Sequence, residues 1–169
     1  MDLSQFIHVA AFPQDHPQGL HPALLNVIYL AACSLSGQGS FISSFEGVFL
    51  ARARQELESS LAYADRLVHF IWANIILGVY FARAGRLVEA YNTVSATVRF
   101  AVGCGLHRAK EHGPLNEAAA ADGPILPIAD VNESQERHVL WCCVYILDRY
   151  FSLAAQFPGS VPKEVSDLI

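Results

Sequence analysis

At 169 residues the chain is one domain's worth of sequence, enough to bury about 70% of its unfolded surface and fold without staples. Its 53% hydrophobic and 16% charged residues make it more apolar than an average soluble domain, which implies a surface made to be covered. A formal net charge of -5, with the basic residues scattered and never three in a row, excludes the electrostatic footprint of a nucleic-acid binder.

The opening "MDLSQFIHVAAFPQDHPQ" has an acid at position 2 and no basic stretch ahead of an apolar run, so it is not expected to be a secretory signal. Residues 1–20 are taken as an N-terminal segment, and 21–169 as the folded part. Pro22 suits a first helical turn, and "PALLNVIYLAACSLS" runs apolar to Ser36 before "GQGS" stops it. A second helix is predicted over Phe45–Ala64, with Val48, Ala51, Leu57, Leu61 and Ala64 facing inward and Arg52, Arg54, Glu56 and Glu58 solvated.

The third helix, Leu67–Ala84, contains the most apolar segment, "LVHFIWANIILGVYF". It is shorter than the roughly 20 residues of a membrane span and carries His69 and Asn74, so it is expected to be a core helix. It meets the fourth, Leu87–Cys104, across "AGR", where Gly85 supplies a left-handed terminator. So short a link predicts an antiparallel αα-hairpin. Leu87, Tyr91, Val94, Val98 and Ala101 form one stripe on the fourth helix, and Gly105 ends it with Leu106 folding back.

A long loop rich in glycine and proline is predicted at about 105–131. The fifth helix is expected to start from Asn132 as N-cap, bury Val139, Cys143, Ile146, Tyr150 and Leu153, and end near Gln156. No segment shows sustained strand alternation. The expected fold is all-α, an irregular bundle of about five helices with one αα-hairpin.

Chemistry is sparse. Cys33, Cys104, Cys142 and Cys143 form no CxxC, and small buried thiols in a reducing compartment are their plain reading. The histidines form neither HxxxH nor HExxH. Two pairs, Cys104 with His107 and His138 with Cys142, fall at helical-neighbour spacing, but nothing in the sequence joins them into four ligands, so no metal site is expected. There is no GxSxG, phosphate-cradling loop or DDxxD, and Cys104 and Cys143 have no assignable base. No catalytic residue is assigned and no enzymatic activity is expected. His107 and Arg108 could meet an anion, but a helix C-terminus disfavours one.

"YILDRYFSLAAQFPGSVP" sets Asp148 beside Arg149 in an apolar run. Sequence neighbours do not face each other on a helix, so each needs another partner. Asp148 lies one turn from the hydroxyls of Tyr145 and Ser152, and Arg149 could reach Glu89 or Asp65. An interhelical salt bridge that fixes register is the expectation.

"GRLVEAYNTVSATVRFAVGCGLHR", followed after a loop by "ESQERHVLWCCVYILDRYFSLAAQFPGSVPKEVSDL", resembles the fungal-specific transcription factor regulatory domain, the middle homology region of zinc-binuclear-cluster activators. Gly85 and Arg86 match its Gly-Arg turn, Arg99 its helix middle, and Gly105, Leu106, His107 and Arg108 its "LGLHR" helix end. Glu136, Trp141, Asp148 and Arg149 match the second block, and Pro158 the proline after it. "HPALLNVIYLAACS" from His21 is similar to the family's opening, so the likeness spans about residues 20–167. The family's arginines before the tryptophan are here "QERHVLW", and its Gly-Arg-Pro is "QFP".

The resemblance implies a nuclear regulator of RNA polymerase II transcription, whose DNA and zinc binding belong to a six-cysteine cluster that this sequence lacks. The chain then corresponds to a partial regulatory domain, its N-terminal half, with no cofactor of its own. The implied partners are the rest of a transcription factor or the transcription machinery, with a small-molecule effector as a further candidate; neither direct nucleic-acid binding nor a membrane is expected. "LGVYFARAGRLVEA" also resembles one tetratricopeptide-like repeat, which keeps a helical interaction scaffold open as an alternative, beside a small-molecule-binding helical bundle. A single copy argues against an array, because such repeats bury a core only by stacking.

Overall fold

The computed structural model describes residues 8–13, 16, 19–37, 39–108, 124–125 and 131–166, and these form six α-helices and two 3-10 helices with no strand. The expected all-α class is what these residues adopt. Most of the predicted loop, 109–123 and 126–130, lies outside the described residues, as do 1–7 and 167–169. The chain divides into two compact units, residues 1–80 and 81–169.

In the first unit α1 spans Pro22–Leu35, with Pro22 in its first turn, where its missing N–H is not needed. His21 caps it: its Nδ1 accepts the Ala23 N–H at 3.1 Å. Ala23, Leu24, Val27, Leu30 and Cys33 form its buried side. A 3-10 helix, Phe41–Phe45, precedes α2, Glu46–Tyr63, which packs on α1.

The buried face of α2 is Ala53, Leu57 and Ser60, so Leu57 alone of the expected inner residues is buried. Val48 and Leu61 are 46% and 50% exposed, and Ala51 and Ala64 face solvent. Small residues at 53 and 60 let two helices approach closely, which outweighed the larger side chains of the other stripe.

α2 ends in a Schellman turn on Ala64, at φ 52°, with the Ala64 and Asp65 N–H groups donating to the Leu61 and Ser60 carbonyls at 3.3 and 3.0 Å. α3, Leu67–Arg83, follows, and the unit boundary falls within it. Among the described residues no helix is long and apolar enough to cross a membrane.

In the second unit the end of α3 closes as a Schellman turn on Gly85, at φ 76°. The Gly85 N–H donates to the Ala82 carbonyl at 3.0 Å and the Arg86 N–H to that of Phe81 at 2.8 Å. α4 spans Leu87–Gly103 and buries Ala90, Val94, Ser95, Thr97, Val98 and Ala101. Gly105, at φ 75°, follows, and the 3-10 helix Leu106–Arg108 folds back with Leu106 buried, as expected.

α5, Val131–Ala155, packs on α4, and α6, Lys163–Ser166, follows it. α5 starts before Asn132, which therefore lies inside its first turn rather than capping it. The face expected to be buried is the exposed one: Val139, Ile146, Tyr150 and Leu153 are 52%, 62%, 60% and 81% exposed. The buried face is Arg137, Leu140, Trp141, Val144, Asp148, Phe151 and Ser152. Apolar residues occur on both sides of this helix, so periodicity offered two stripes and could not choose between them.

Candidate functional site

Asp148 is buried at 1% exposure in the C-terminal half of α5. A desolvated carboxylate costs several kcal/mol unless its lone pairs are met. Backbone amides meet them here: the Ser160 N–H donates to Oδ1 at 2.9 Å and Oδ2 at 3.0 Å, and the Val161 N–H donates to Oδ2 at 3.3 Å. One helix side chain thus fastens the segment that follows its own helix.

The intervening residues are shaped to bring those amides back. α5 ends in a Schellman turn on Gln156, at φ 58°, with the Phe157 N–H donating to the Ser152 carbonyl at 3.0 Å. Phe157 then sits against Tyr91 of α4, ring centroids 4.8 Å apart. The Pro158 carbonyl accepts from the Tyr91 hydroxyl at 3.0 Å and from Ser152 Oγ at 3.4 Å. A Cβ on Gly159 would meet the guanidinium end of Arg149, which would have to swing aside, and lie 3.3 Å from Asp148 Oδ2.

This corrects the expected interhelical bridge. Glu89 is held by Arg86, and Asp65 by Arg66 at 2.9 Å. Arg149 instead lies over the Tyr145 ring, 5.1 Å from its centroid, with Nε 3.9 Å from Asp148 Oδ2. Neither neighbouring hydroxyl serves Asp148, because backbone N–H groups already occupy its oxygens.

The other motif residues pin the opposite end of the same helix pair. Trp141, 3% exposed, faces the His107 ring at 5.9 Å, and the 3-10 helix carrying Leu106, His107 and Arg108 packs against both α4 and α5. The start of α4 meets the end of α5 through Tyr91 and Phe157, and the end of α4 meets the first half of α5 through His107 and Trp141. The two helices are therefore antiparallel. At the Gly85 turn, Arg86 pairs with Glu89, Nη2 donating to Oε1 at 2.6 Å, and lies 4.6 Å over Phe81. Arg99, Arg108 and Glu136 are exposed on this unit. The remaining motif residues gather in three places, the Gly85 turn, the Leu106–Trp141 end and the Asp148 anchor, whereas Arg99 and Glu136 lie on the surface.

Thiol chemistry is suppressed rather than activated. Burial pushes the Cys104 thiol up to about 11 and raises those of Cys143 and Cys33. His138 Nε2 lies 3.7 Å from Cys142 Sγ, but among the described residues no three His, Cys, Asp or Glu side chains gather as metal ligands, so the two His/Cys pairs are not joined.

Sequence reasoning missed the amides of Ser160 and Val161 and the seat of Phe157 on Tyr91. A backbone donor has no side-chain signature; the Pro158–Gly159 pair marked only a turn.

A second polar cluster lies in the first unit. Arg66, at φ 44°, donates to the Gly19 carbonyl at 3.1 Å and to Asp65, and Asp65 Oδ2 lies 3.6 Å from His21 Nε2. The His21 backbone N–H donates to His69 Nδ1 at 3.3 Å. Burial and then the Arg66 charge lower the His21 pKa, whereas the Arg66 hydrogen bond holds the Asp65 carboxyl below its usual range.

These features define an α-helical domain whose shared sequence motifs serve as packing and turn anchors. The family profile of the fungal specific transcription factor domain matches residues 3–165, and the chain belongs to that family. No curated protein and no solved structure gives a significant match.

Proposed function

We propose that this chain is a regulatory module of a fungal transcription factor, acting in the nucleus through protein contacts to modulate RNA polymerase II transcription. The observation that carries this is the family match over residues 3–165. Supporting it, the family-motif residues Asp148, Trp141, Leu106 and Gly85 do structural work in one helix pair, so the module's action lies in the surface they hold in place. The reading assigns the chain no enzymatic step, no cofactor, and no grip on DNA, in keeping with its net charge of -5. DNA and zinc binding are assigned to a separate cluster module.

Titration of labelled duplex DNA with the purified chain tests this directly. No saturable binding is expected at low salt. Binding that weakens steeply as salt rises would overturn a regulatory role confined to protein contacts.

A further inference from the structure

In the first unit the start of α1 is held to α3 through two imidazole nitrogens. His21 Nδ1 accepts the Ala23 N–H at 3.1 Å, and His69 Nδ1, on α3, accepts the backbone N–H of His21 itself at 3.3 Å. Both acceptors are ring lone pairs, which exist only while the rings are neutral. An imidazolium carries N–H on both nitrogens and can only donate. His21 is 4% exposed, so an amide that loses its ring partner there has little water to replace it.

The groups around the rings complete the arrangement. Asp65 Oδ2 lies 3.6 Å from His21 Nε2, which favours the Nε2–H tautomer of the neutral ring and leaves a carboxylate beside the charge once the ring takes a second proton. Arg66, at φ 44°, donates to the His16 and Gly19 carbonyls at 3.4 and 3.1 Å and to Asp65, so the chain entering His21 rests on the turn between α2 and α3. Leu20, buried, lies between those contacts and the His21 cap. The charged groups facing His21 are Arg66 and Asp65 from that turn and Glu56 from α2. Burial and Arg66 oppose its protonation, while the two acids favour it. Asp65 also faces His69.

We infer that His21 and His69 form a proton-sensitive latch: closed while both rings are neutral, and opened by mild acid, which frees Gly19, Leu20, His21 and the first turn of α1 while α2 stays folded. The sign follows from the hydrogen bonds. Protonation of either ring sets an N–H against the amide it had accepted, so the closed form resists the proton and the open form binds it at the ordinary value of 6.5. The latch is therefore complete above that value and weakens as pH falls below it. A ring held neutral when closed and titrating freely when open raises opening about tenfold between about pH 7.5 and 5.5, so two rings raise it about a hundredfold. The latch lies wholly in the first unit and does not depend on the transcriptional role proposed above.

Amide hydrogen exchange of the full chain tests it, read residue by residue by NMR at about pH 7.5 and 5.5 and corrected for intrinsic rates. Protection of the His21 and Ala23 amides should fall by more than the roughly tenfold that one ring can give, towards a hundredfold. Their exchange should be insensitive to low urea, because the opening exposes little surface, whereas the Leu57 amide of α2 should exchange only through urea-dependent unfolding. His21→Asn combined with His69→Asn supplies side-chain oxygens that accept but do not titrate, and should keep both amides protected at either pH. A fall of tenfold or less, an Ala23 amide with the urea dependence of Leu57, or an unchanged pH response in the double variant overturns the latch. The first two readings use the unaltered chain, so they decide even where the double variant does not fold.

Discussion

Asp148 Oδ1 and the Ser160 backbone N–H lie 2.9 Å apart, and this bond ties α5 to the segment that follows it. The carboxylate is nearly inaccessible to water, so its amide partners are what make its burial affordable. Asp148→Ala should cost about 2–4 kcal/mol, because it leaves two amides without their acceptor. Asp148→Asn, which keeps one acceptor oxygen, should cost less. Urea unfolding followed by circular dichroism checks this, and equal costs for the two variants would contradict the anchor.

Gly159 and Arg149 occupy the same space next to that anchor. Gly159→Ala should destabilise by about 1 kcal/mol at most, because the guanidinium is the end of a flexible side chain that can swing aside, while Asp148 Oδ2 at 3.3 Å must give slightly. In an Arg149→Ala background the same change should cost much less. A double-mutant cycle with no coupling would show that Arg149 does not fill the space beside Gly159 in solution.

Ala64 and Gln156 both occupy left-handed helix-terminating positions that glycine fills most easily. Gln156 stands where the family pattern has its Gly-Arg-Pro glycine, so this chain keeps the turn with a less suitable residue. Gln156→Gly and Ala64→Gly should each change stability by no more than about 1 kcal/mol, with relief of strain offset by the entropy of the unfolded glycine. Gly85→Ala, by contrast, should destabilise by about 1 kcal/mol. Thermal melts of the three variants make the comparison.

The His21 cluster predicts a pH dependence of defined sign. The neutral ring caps α1 through Nδ1, and burial with the Arg66 charge lowers its pKa, although Asp65 and Glu56 pull the other way. The unfolded chain therefore binds the proton more readily. Stability from this group is complete above the ordinary value of 6.5 and declines as pH falls below it towards the folded value. Asp65, whose pKa is lowered, loses its contribution only in more acidic solution, below its ordinary value of 3.8. His21→Asn, which retains a capping side chain, should flatten the first dependence and leave the second. Chemical denaturation at stepped pH values measures both.

What could be read from the sequence was the local part of the fold. α1 was expected to begin at Pro22, and the turns at Gly85 and Gly105 were legible, because a cap is written in the residues that form it. The choice of face was not legible on α2 or α5. On α5 the residues from Val139 to Leu153 alternate between two apolar stripes, and only the packing partner decides which is buried. The importance of Asp148 was visible as an oddity in an apolar run, but its partners were not, since backbone N–H groups carry no side-chain identity. For the same reason the sequence points Arg149 to a distant acid, whereas its neighbours are Tyr145 and Gly159.

The central claim is that the chain regulates transcription through a surface held in shape by these anchors. The most direct measurement is reporter output in fungal nuclei, with the chain tethered between a heterologous DNA-binding domain and an activation domain. A several-fold change in output is expected relative to the same fusion without the chain, diminished by Asp148→Ala at matched protein level. Output unaffected by the chain would contradict it.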